Sequence, residues 1–224
     1  MRTRMQEISK DSWKKITQTM ELKIWENSMA KEDKNNWWAQ NFNNYINAVE
    51  EPVDSIIEMG CGPFAKNIQI ILNILKHKPT KIMLNDPLLQ EYINLNKPVK
   101  NFIEKNKIET FICPLEECVL PSPVDMLISI NVLDHVYNLK NCLNSILNNL
   151  KPSGILILGN DLTNDKNFKD TPTDDPNAML HPIRFDYSDI EYFLDKFDSI
   201  YKKISDPQGF HCGTLFFIGR KYGS

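Results

Sequence analysis

The hydrophobic positions of this chain change period twice. From Met1 to Val49 they recur at helical spacing. Trp13, Ile16, Met20 and Ile24 form one stripe; Trp37, Trp38, Phe42, Tyr45 and Ile46 form a second, beyond a polar break at 31–36. Steps of three and four residues put such positions on one helix face. From Ser55 the texture becomes short apolar runs: Ser55–Met59, Lys81–Leu84, Thr110–Cys113, Met126–Ile130 and Ile155–Leu158. Helical stretches separate most of them, at Ala65–Leu75, Leu88–Asn106 (interrupted at Pro98) and Leu139–Leu150. Strand–helix alternation predicts a parallel sheet with right-handed crossovers. Pro152-Ser153-Gly154 is expected to end the last of these helices and turn into the fifth strand.

The second change comes at Asp161–Pro182, a long Asp/Asn/Pro/Thr segment without periodicity, of a kind that in a compact domain is usually functional or mobile. A helix follows at Ser188–Asp195. Ser199–Ile204 and Thr214–Arg220 then read as strands joined by a loop with Pro207 and Gly209. Strands joined without a helix pair antiparallel. The expected fold is α/β: a doubly wound, mostly parallel seven-stranded sheet with an antiparallel C-terminal strand pair, preceded by N-terminal helices.

The densest chemistry lies where the first strand ends, at Glu58-Met-Gly60-Cys-Gly62-Pro63-Phe64. Glycines at alternate positions permit positive φ and remove the Cβ atoms that would hold a ligand off the backbone. Pro63 has no N–H to leave unpaired in the first helical turn. Strand, cradle and helix make half of a nucleotide-binding crossover. A dinucleotide site would use a third glycine and a helix N-terminus facing a pyrophosphate. Phe64 occupies that third position, and Glu58 would oppose a diphosphate and favour a cation. Asp86, ending the second run, suits a ribose diol. It suits equally an N-cap for the helix from Leu88, with Pro87 at its first position.

Composition narrows the partners. The 224 residues are 42% hydrophobic and 25% charged, with a net charge of -3, so no Lys/Arg surplus is present to neutralise a nucleic-acid backbone. No apolar run approaches the ~18 residues of a membrane span, and the polar, Lys-rich N-terminus does not read as a signal peptide. Five cysteines without framework spacing fit a reducing, cytoplasmic setting. Cys113 and Cys118 have no second pair at ligand spacing, so no metal site is expected. Oligomeric state is not readable.

Taken in order, these segments resemble class I S-adenosylmethionine-dependent methyltransferases. Glu58-x-Gly60-x-Gly62 is similar to the first motif of that family, and Leu84-Asn85-Asp86 to its second-strand acid. Cys113-Pro-Leu115-Glu116-Glu117 resembles the segment along adenine, without the usual acid or amide at Pro114. Asp125–Val136, with Asn131-Val-Leu-Asp134-His135-Val136, resembles the fourth-strand motif, and Leu150–Leu158 the fifth. The resemblance spans about residues 52–160. It implies a Rossmann-like methyltransferase domain at 51–224 behind a helical cap at 1–50. It implies S-adenosylmethionine as cofactor, held by Glu58, Gly60, Gly62, Asp86, Leu115, Glu116 and Asn131.

The acceptor is then expected beyond the C-terminal strand ends, near Asn131, Asn160 and Asp161, under the N-terminal helices and the 163–184 loop. His181, held extended before Pro182, is the first candidate base, and Asp161 the second, as base or as the group orienting it. His135 reads as a structural imidazole. Asn131 suits a cap as well as a pocket wall. Of Trp37 and Trp38, which point about 100° apart, one can face the core and the other the pocket. With no nucleic-acid module and no Asn-Pro-Pro-aromatic motif after Asn131, the expected acceptor is a hydroxyl or amine of a small polar metabolite. By elimination, a sugar or its nucleotide-linked precursor is favoured. A non-catalytic cofactor-binding partner subunit and an NAD-dependent oxidoreductase are the competing readings.

Overall fold

The computed structural model describes residues 7–28, 35–46, 49, 52–163, 179–206 and 212–223. The polar break before Asn35, the side chain of Tyr45, most of the aperiodic segment and the Pro207–Gly209 loop lie outside these residues.

Seven strands form one sheet: β1 (Ser55–Met59), β2 (Lys81–Asn85), β3 (Glu109–Phe111), β4 (Val124–Ile130), β5 (Leu150–Leu162), β6 (Phe197–Ile204) and β7 (Gly213–Lys221). Their order is β3-β2-β1-β4-β5-β7-β6. The first five pair in parallel, and β7 inserts antiparallel between β5 and β6. β6 ends at Ile204 and β7 starts at Gly213, too short a connection for a crossover, so β7 runs against β6. The strand order reverses between β1 and β4, the place where open α/β sheets bind ligands.

The sheet is buried on both faces because its strands alternate between two cores. Met126, Ile128, Ile157 and Phe216 meet α3 (Asn35–Ile46) and α4 (Lys66–Ile74). Leu127, Leu156 and Phe217 meet α7 (Leu139–Asn149) and the C-terminal helix α8 (Tyr187–Leu194). Trp38 is 2% exposed and lies against Gly159, where a Cβ would stand 2.6 Å from its ring. Trp37 is 42% exposed, with its ring 5.2 Å from that of Phe216. The second stripe therefore packs on the sheet.

Several boundaries differ from expectation, each for a local reason. The first helix runs as α1 (Lys10–Trp13), a π-helical segment (Lys14–Gln18) and α2 (Thr19–Ser28). The wider π turn brings Thr17 under the helix and leaves Ile16 45% exposed. The second crossover breaks at Asn96, between α5 (Leu89–Leu95) and α6 (Lys97–Asn106). Pro98 is tolerated in the first turn of α6, where its missing N–H leaves no bond unmade. Pro63 precedes α4 instead of opening it, because Ala65 intervenes in a left-handed conformation at φ 45°. Before β5 settles into register, the left-handed residue is Ser153, not Gly154.

Candidate functional site

One cavity opens at the C-terminal ends of β1, β2 and β4. Its wall is formed by Gly60–Pro63 after β1, Asn85–Leu88 after β2, Leu115 and Glu116 after β3, and Ile130–Val132 at the end of β4. His135, Val136, Leu180 and His181 close one side, and Trp13, Gln18, Glu21, Ile24 and Trp25 lie across it from the first helix.

The glycine turn is fixed from three directions. Gly60 and Gly62 have φ of 73° and 59°, and a Cβ on Gly60 would stand 2.4 Å from Val132. Asp86 Oδ2 accepts from the Gly62 N–H at 2.9 Å, and its Oδ1 accepts from the Leu88 N–H at 2.9 Å. Asn96 Nδ2 donates to the carbonyl of Pro63 at 2.7 Å. Burial lifts the Asp86 carboxyl from 3.8 to about 6, against the two N–H donors that lower it. The carboxylate thus starts the turn into α5 and also lines the cavity.

Glu58 has a different position. It is fully buried, accepting from Asn67 Nδ2 at 2.9 Å and from the Ile68 N–H at 3.0 Å. It is not among the cavity-lining residues and ties β1 to the first turn of α4. The negative charge beside the cavity comes instead from Asp86, Glu116 and Glu21. Glu116 Oε1 accepts from the N–H groups of Tyr137 and Asn138 at 2.6 and 3.0 Å, and burial raises its carboxyl above the usual range. Asn131 takes a left-handed φ of 59° and is no helix cap; the cap of α7 is Asn138, which accepts from the Asn141 N–H. Among the described residues, buried oxygens without a hydrogen-bond partner concentrate here: Gln18 Oε1, Asn67 Oδ1, Asn85 Oδ1, Glu116 Oε2 and Asn131 Oδ1 all belong to cavity-lining residues. No lysine or arginine lines the cavity among the described residues.

On the other side of Asn131 the two candidate bases separate. His181 lines the cavity, with its Nε2 3.8 Å from Asp134 Oδ2. Asp161 does not line it; its Oδ1 accepts from Thr214 Oγ1 at 2.6 Å between β5 and β7. Asn160 is a brace. Its Oδ1 accepts from the N–H groups of Val132 and Leu133, and its Nδ2 donates to Asp134 Oδ1 at 3.1 Å. Asp134 is fully buried and belongs with His181 through the fold, since the Ile183 N–H donates to its carbonyl at 3.2 Å.

The cover contains what sequence reading did not place. Trp13 Nε1 donates to the carbonyl of His135 at 2.7 Å, and Thr17 Oγ1 to that of Met179 at 2.9 Å. Trp25 packs edge-on against Phe64 and donates to Glu21 Oε1 at 2.7 Å. Glu21 Oε2 stands 3.5 Å from His135 Nδ1. Burial, the largest influence on His135, lowers its pKa, but Asp134, Glu21 and Asp86 together outweigh it and hold the imidazole at about 9. Burial pushes Glu21 up, and its bonds to His135 and Trp25 with the charge of His181 bring it below the usual value. Glu21 belongs to neither apolar stripe, and only the neighbouring spacing Gln18, Glu21, Trp25 could have pointed to it. Trp37 and Trp38, expected to divide between core and pocket, line no part of this cavity.

No protein-family profile and no curated protein matches this sequence. Solved structures do match the fold. N-methyltransferase NodS from Bradyrhizobium japonicum WM9, in complex with S-adenosyl-l-homocysteine, superimposes with a TM-score of 0.61 at 12% identity, over 92% of this chain and 97% of that one. The Burkholderia thailandensis 1,6-didemethyltoxoflavin-N1-methyltransferase, with its substrate and S-adenosylhomocysteine bound, gives 0.61 at 13% identity over 92% and 88%. The plantazolicin methyltransferase BpumL, in complex with a triazolic desmethylPZN analog and SAH, gives 0.62 at 12% over 95% and 94%. This chain has the seven-stranded α/β fold of these methyltransferases.

Proposed function

We propose that this protein is an S-adenosylmethionine-dependent methyltransferase acting on a hydroxyl or amine of a small polar acceptor. The observation that carries the reading is the acceptor-rich cavity at the switch point of the sheet. Its glycine turn admits a ligand to the backbone, and five buried oxygens of its lining residues have no donor among the described residues. No basic side chain among the described residues offers a diphosphate a partner. A ligand with hydroxyl and amino donors and positive charge complements such a wall. S-adenosylmethionine supplies an electrophilic methyl group on a cationic sulfur.

In this reading Gly60 and Gly62 let the ligand approach the backbone, while Asp86 accepts from a ribose diol. Leu115 and Glu116 line the adenine side, and Asn131 offers its carbonyl oxygen to the cationic end. Glu58 acts at one remove, by fixing the turn of α4 beneath the loop. The helices within residues 1–50 divide the work: α1–α2 cover the cavity and α3 packs on the sheet. Fixing acceptor and donor in line supplies most of the acceleration, on the order of 7–11 kcal/mol where orientation is good. His181 takes the acceptor proton, with Asp134 rather than Asp161 beside it.

Titration calorimetry with S-adenosylhomocysteine and with NAD is the first test. Binding of the former and not the latter is expected, followed by radiolabelled methyl transfer to a panel of sugars, nucleotide sugars and amines. Binding of NAD alone would overturn the reading. Binding of S-adenosylhomocysteine with no turnover on any acceptor would favour a cofactor-binding subunit instead.

A further inference from the structure

The acceptor corner gathers more donors than a single general base requires. Asp134, His135 and His181 each offer one ligand atom, and these atoms all lie within 4.8 Å of one another. The carboxylate is fully buried, yet among the described residues only Oδ1 is hydrogen-bonded, by Asn160 Nδ2, and Oδ2 has no hydrogen-bond partner. The nearby imidazole nitrogens stop short of it. His181 Nε2 is 3.8 Å from Oδ2, and His135 Nε2 is 4.0 Å from Oδ1. These separations exceed a hydrogen bond but suit groups arranged around a common ion. Two donors at 2.0–2.2 Å from a tetrahedral ion stand about 3.4 Å apart, so the two carboxylate–imidazole separations have to close by roughly half an ångström, and no pair in the set by more than about 1.4 Å.

We propose that Asp134, His135 and His181 bind a divalent first-row transition ion. Two imidazoles and one carboxylate form a donor set suited to zinc, iron, cobalt or manganese, and three protein ligands leave coordination positions open. Two of the three ligands, His135 and His181, line the cavity.

The surroundings are arranged as a ligand set needs them. A metal-bound histidine generally gives its second ring nitrogen to a carboxylate, which fixes the tautomer and orients the ring. His135 has that partner, with Glu21 Oε2 3.5 Å from Nδ1. Asn160 holds the carboxylate from behind and also pins the Val132–Leu133 turn that presents it. The Ile183 N–H bond to the Asp134 carbonyl brings the His181 segment to the same place. No sequence spacing reveals this set, because His181 joins the adjacent pair only through that strand-end contact.

The inference rests on the proposed function only for what the ion would do. Coordination lowers the pKa of a bound hydroxyl or amine, whose proton then leaves to water. The ion would replace the base role given to His181, which becomes a ligand. The favoured acceptors are those whose reacting oxygen or nitrogen can coordinate a metal, such as vicinal diols or amino alcohols.

The test uses the untagged full chain and Co²⁺ as a spectroscopic probe, with Zn²⁺ competition measured by equilibrium dialysis. One ion per chain is expected, with visible d–d absorption of a low-coordinate site that Zn²⁺ abolishes. His181→Gln should weaken binding by more than a hundredfold, and Glu21→Gln by about ten- to a hundredfold. Because Asp134 is buried and its variant can fail to fold, His181→Gln with an unchanged thermal melt is the decisive variant. No absorption in the wild type, or equal binding by wild type and His181→Gln, would overturn the site. S-adenosylhomocysteine titration in the same preparation is independent of it: metal binding without that ligand would sink the proposed function and leave the site standing. The reverse result would remove the ion and return His181 to acting as a base.

Discussion

The carboxylate of Asp86 and the backbone N–H of Gly62 meet at 2.9 Å, so the acid that ends β2 holds the glycine turn that ends β1. Its second oxygen starts α5 through Leu88. One side chain thereby couples the two crossovers on which the cavity is built, and it does so as a buried anion.

That burial has a pH signature. The carboxyl titrates at about 6 when folded, against 3.8 when exposed. A group whose folded pKa is raised binds its proton more tightly in the native state. Its contribution to stability therefore falls as pH rises from about 4 to about 6, and stays level above that. Two units correspond to on the order of 3 kcal/mol. Ribose hydroxyls donating to Asp86 favour its charged form, so cofactor binding near pH 6 should release a proton, and affinity should rise from pH 5 to pH 7. Calorimetry in buffers of different ionisation enthalpy measures both. Asp86→Asn should flatten the pH dependence and weaken binding by about 1.5–3 kcal/mol. A flat profile in the wild type with normal binding by the variant would leave Asp86 a turn residue only.

The two glycines should fail differently. At Gly60 a Cβ meets Val132 at 2.4 Å with φ at 73°, so Gly60→Ala should cost about 1–3 kcal/mol of stability, read from the denaturant midpoint. Adding Val132→Ala should relieve the clash and leave the backbone strain. At Gly62 no atom of the described residues lies within 4 Å of a Cβ. Gly62→Ala should therefore lose proportionally more cofactor affinity than stability. Equal ratios of affinity loss to stability loss at both positions would remove the cradle role of Gly62.

The sheet was legible because a buried parallel strand must be a short apolar run and its crossover an amphipathic helix; Ile56 and Ile57 entering opposite cores leave little alternative. The glycine turn and Asp86 were legible because backbone conformation and a buried acid each require a residue type. What could not be read was direction. Glu58 precedes the loop in sequence, but its carboxylate points beneath α4, since the unpaired N–H of Ile68 lies there. Asp161 lies inside β5, which runs past the expected end at Leu158 to Leu162, and it turns to Thr214 because the strand inserted beside it is the last in the chain. Asp134, Glu21 and His181 meet only through tertiary contacts and share no sequence period.

Asp161 and His181 give opposite expectations. Asp161→Asn keeps an acceptor for Thr214 Oγ1 and should leave turnover near wild type. Asp161→Ala should lower stability by about 1–3 kcal/mol by stranding that hydroxyl. His181→Ala should lower kcat by about a hundredfold or more, with cofactor affinity nearly unchanged. If Asp161→Asn instead abolished turnover in a normally folded protein, the catalytic corner would have to be redrawn around β5.

Glu21 joins the cover to the site, and its removal should loosen one without unfolding the other. Its carboxylate accepts from Trp25 Nε1 at 2.7 Å and faces His135 Nδ1 at 3.5 Å. Glu21→Ala leaves an indole N–H and an imidazole without their partner, a local cost of about 1–3 kcal/mol. Glu21→Gln keeps an oxygen for Trp25 and should cost less. The rest of the first helix is tied down by Trp13 to His135 and Thr17 to Met179, and the sheet depends on neither contact. Hydrogen exchange should therefore accelerate within residues 10–28 of Glu21→Ala while the amides of β1, β4 and β5 keep their protection. S-adenosylhomocysteine should restore slow exchange in the helix if the cover closes on the ligand. Uniform acceleration across helix and sheet would mean that α1–α2 folds as one unit with the core and does not act as a separate cover.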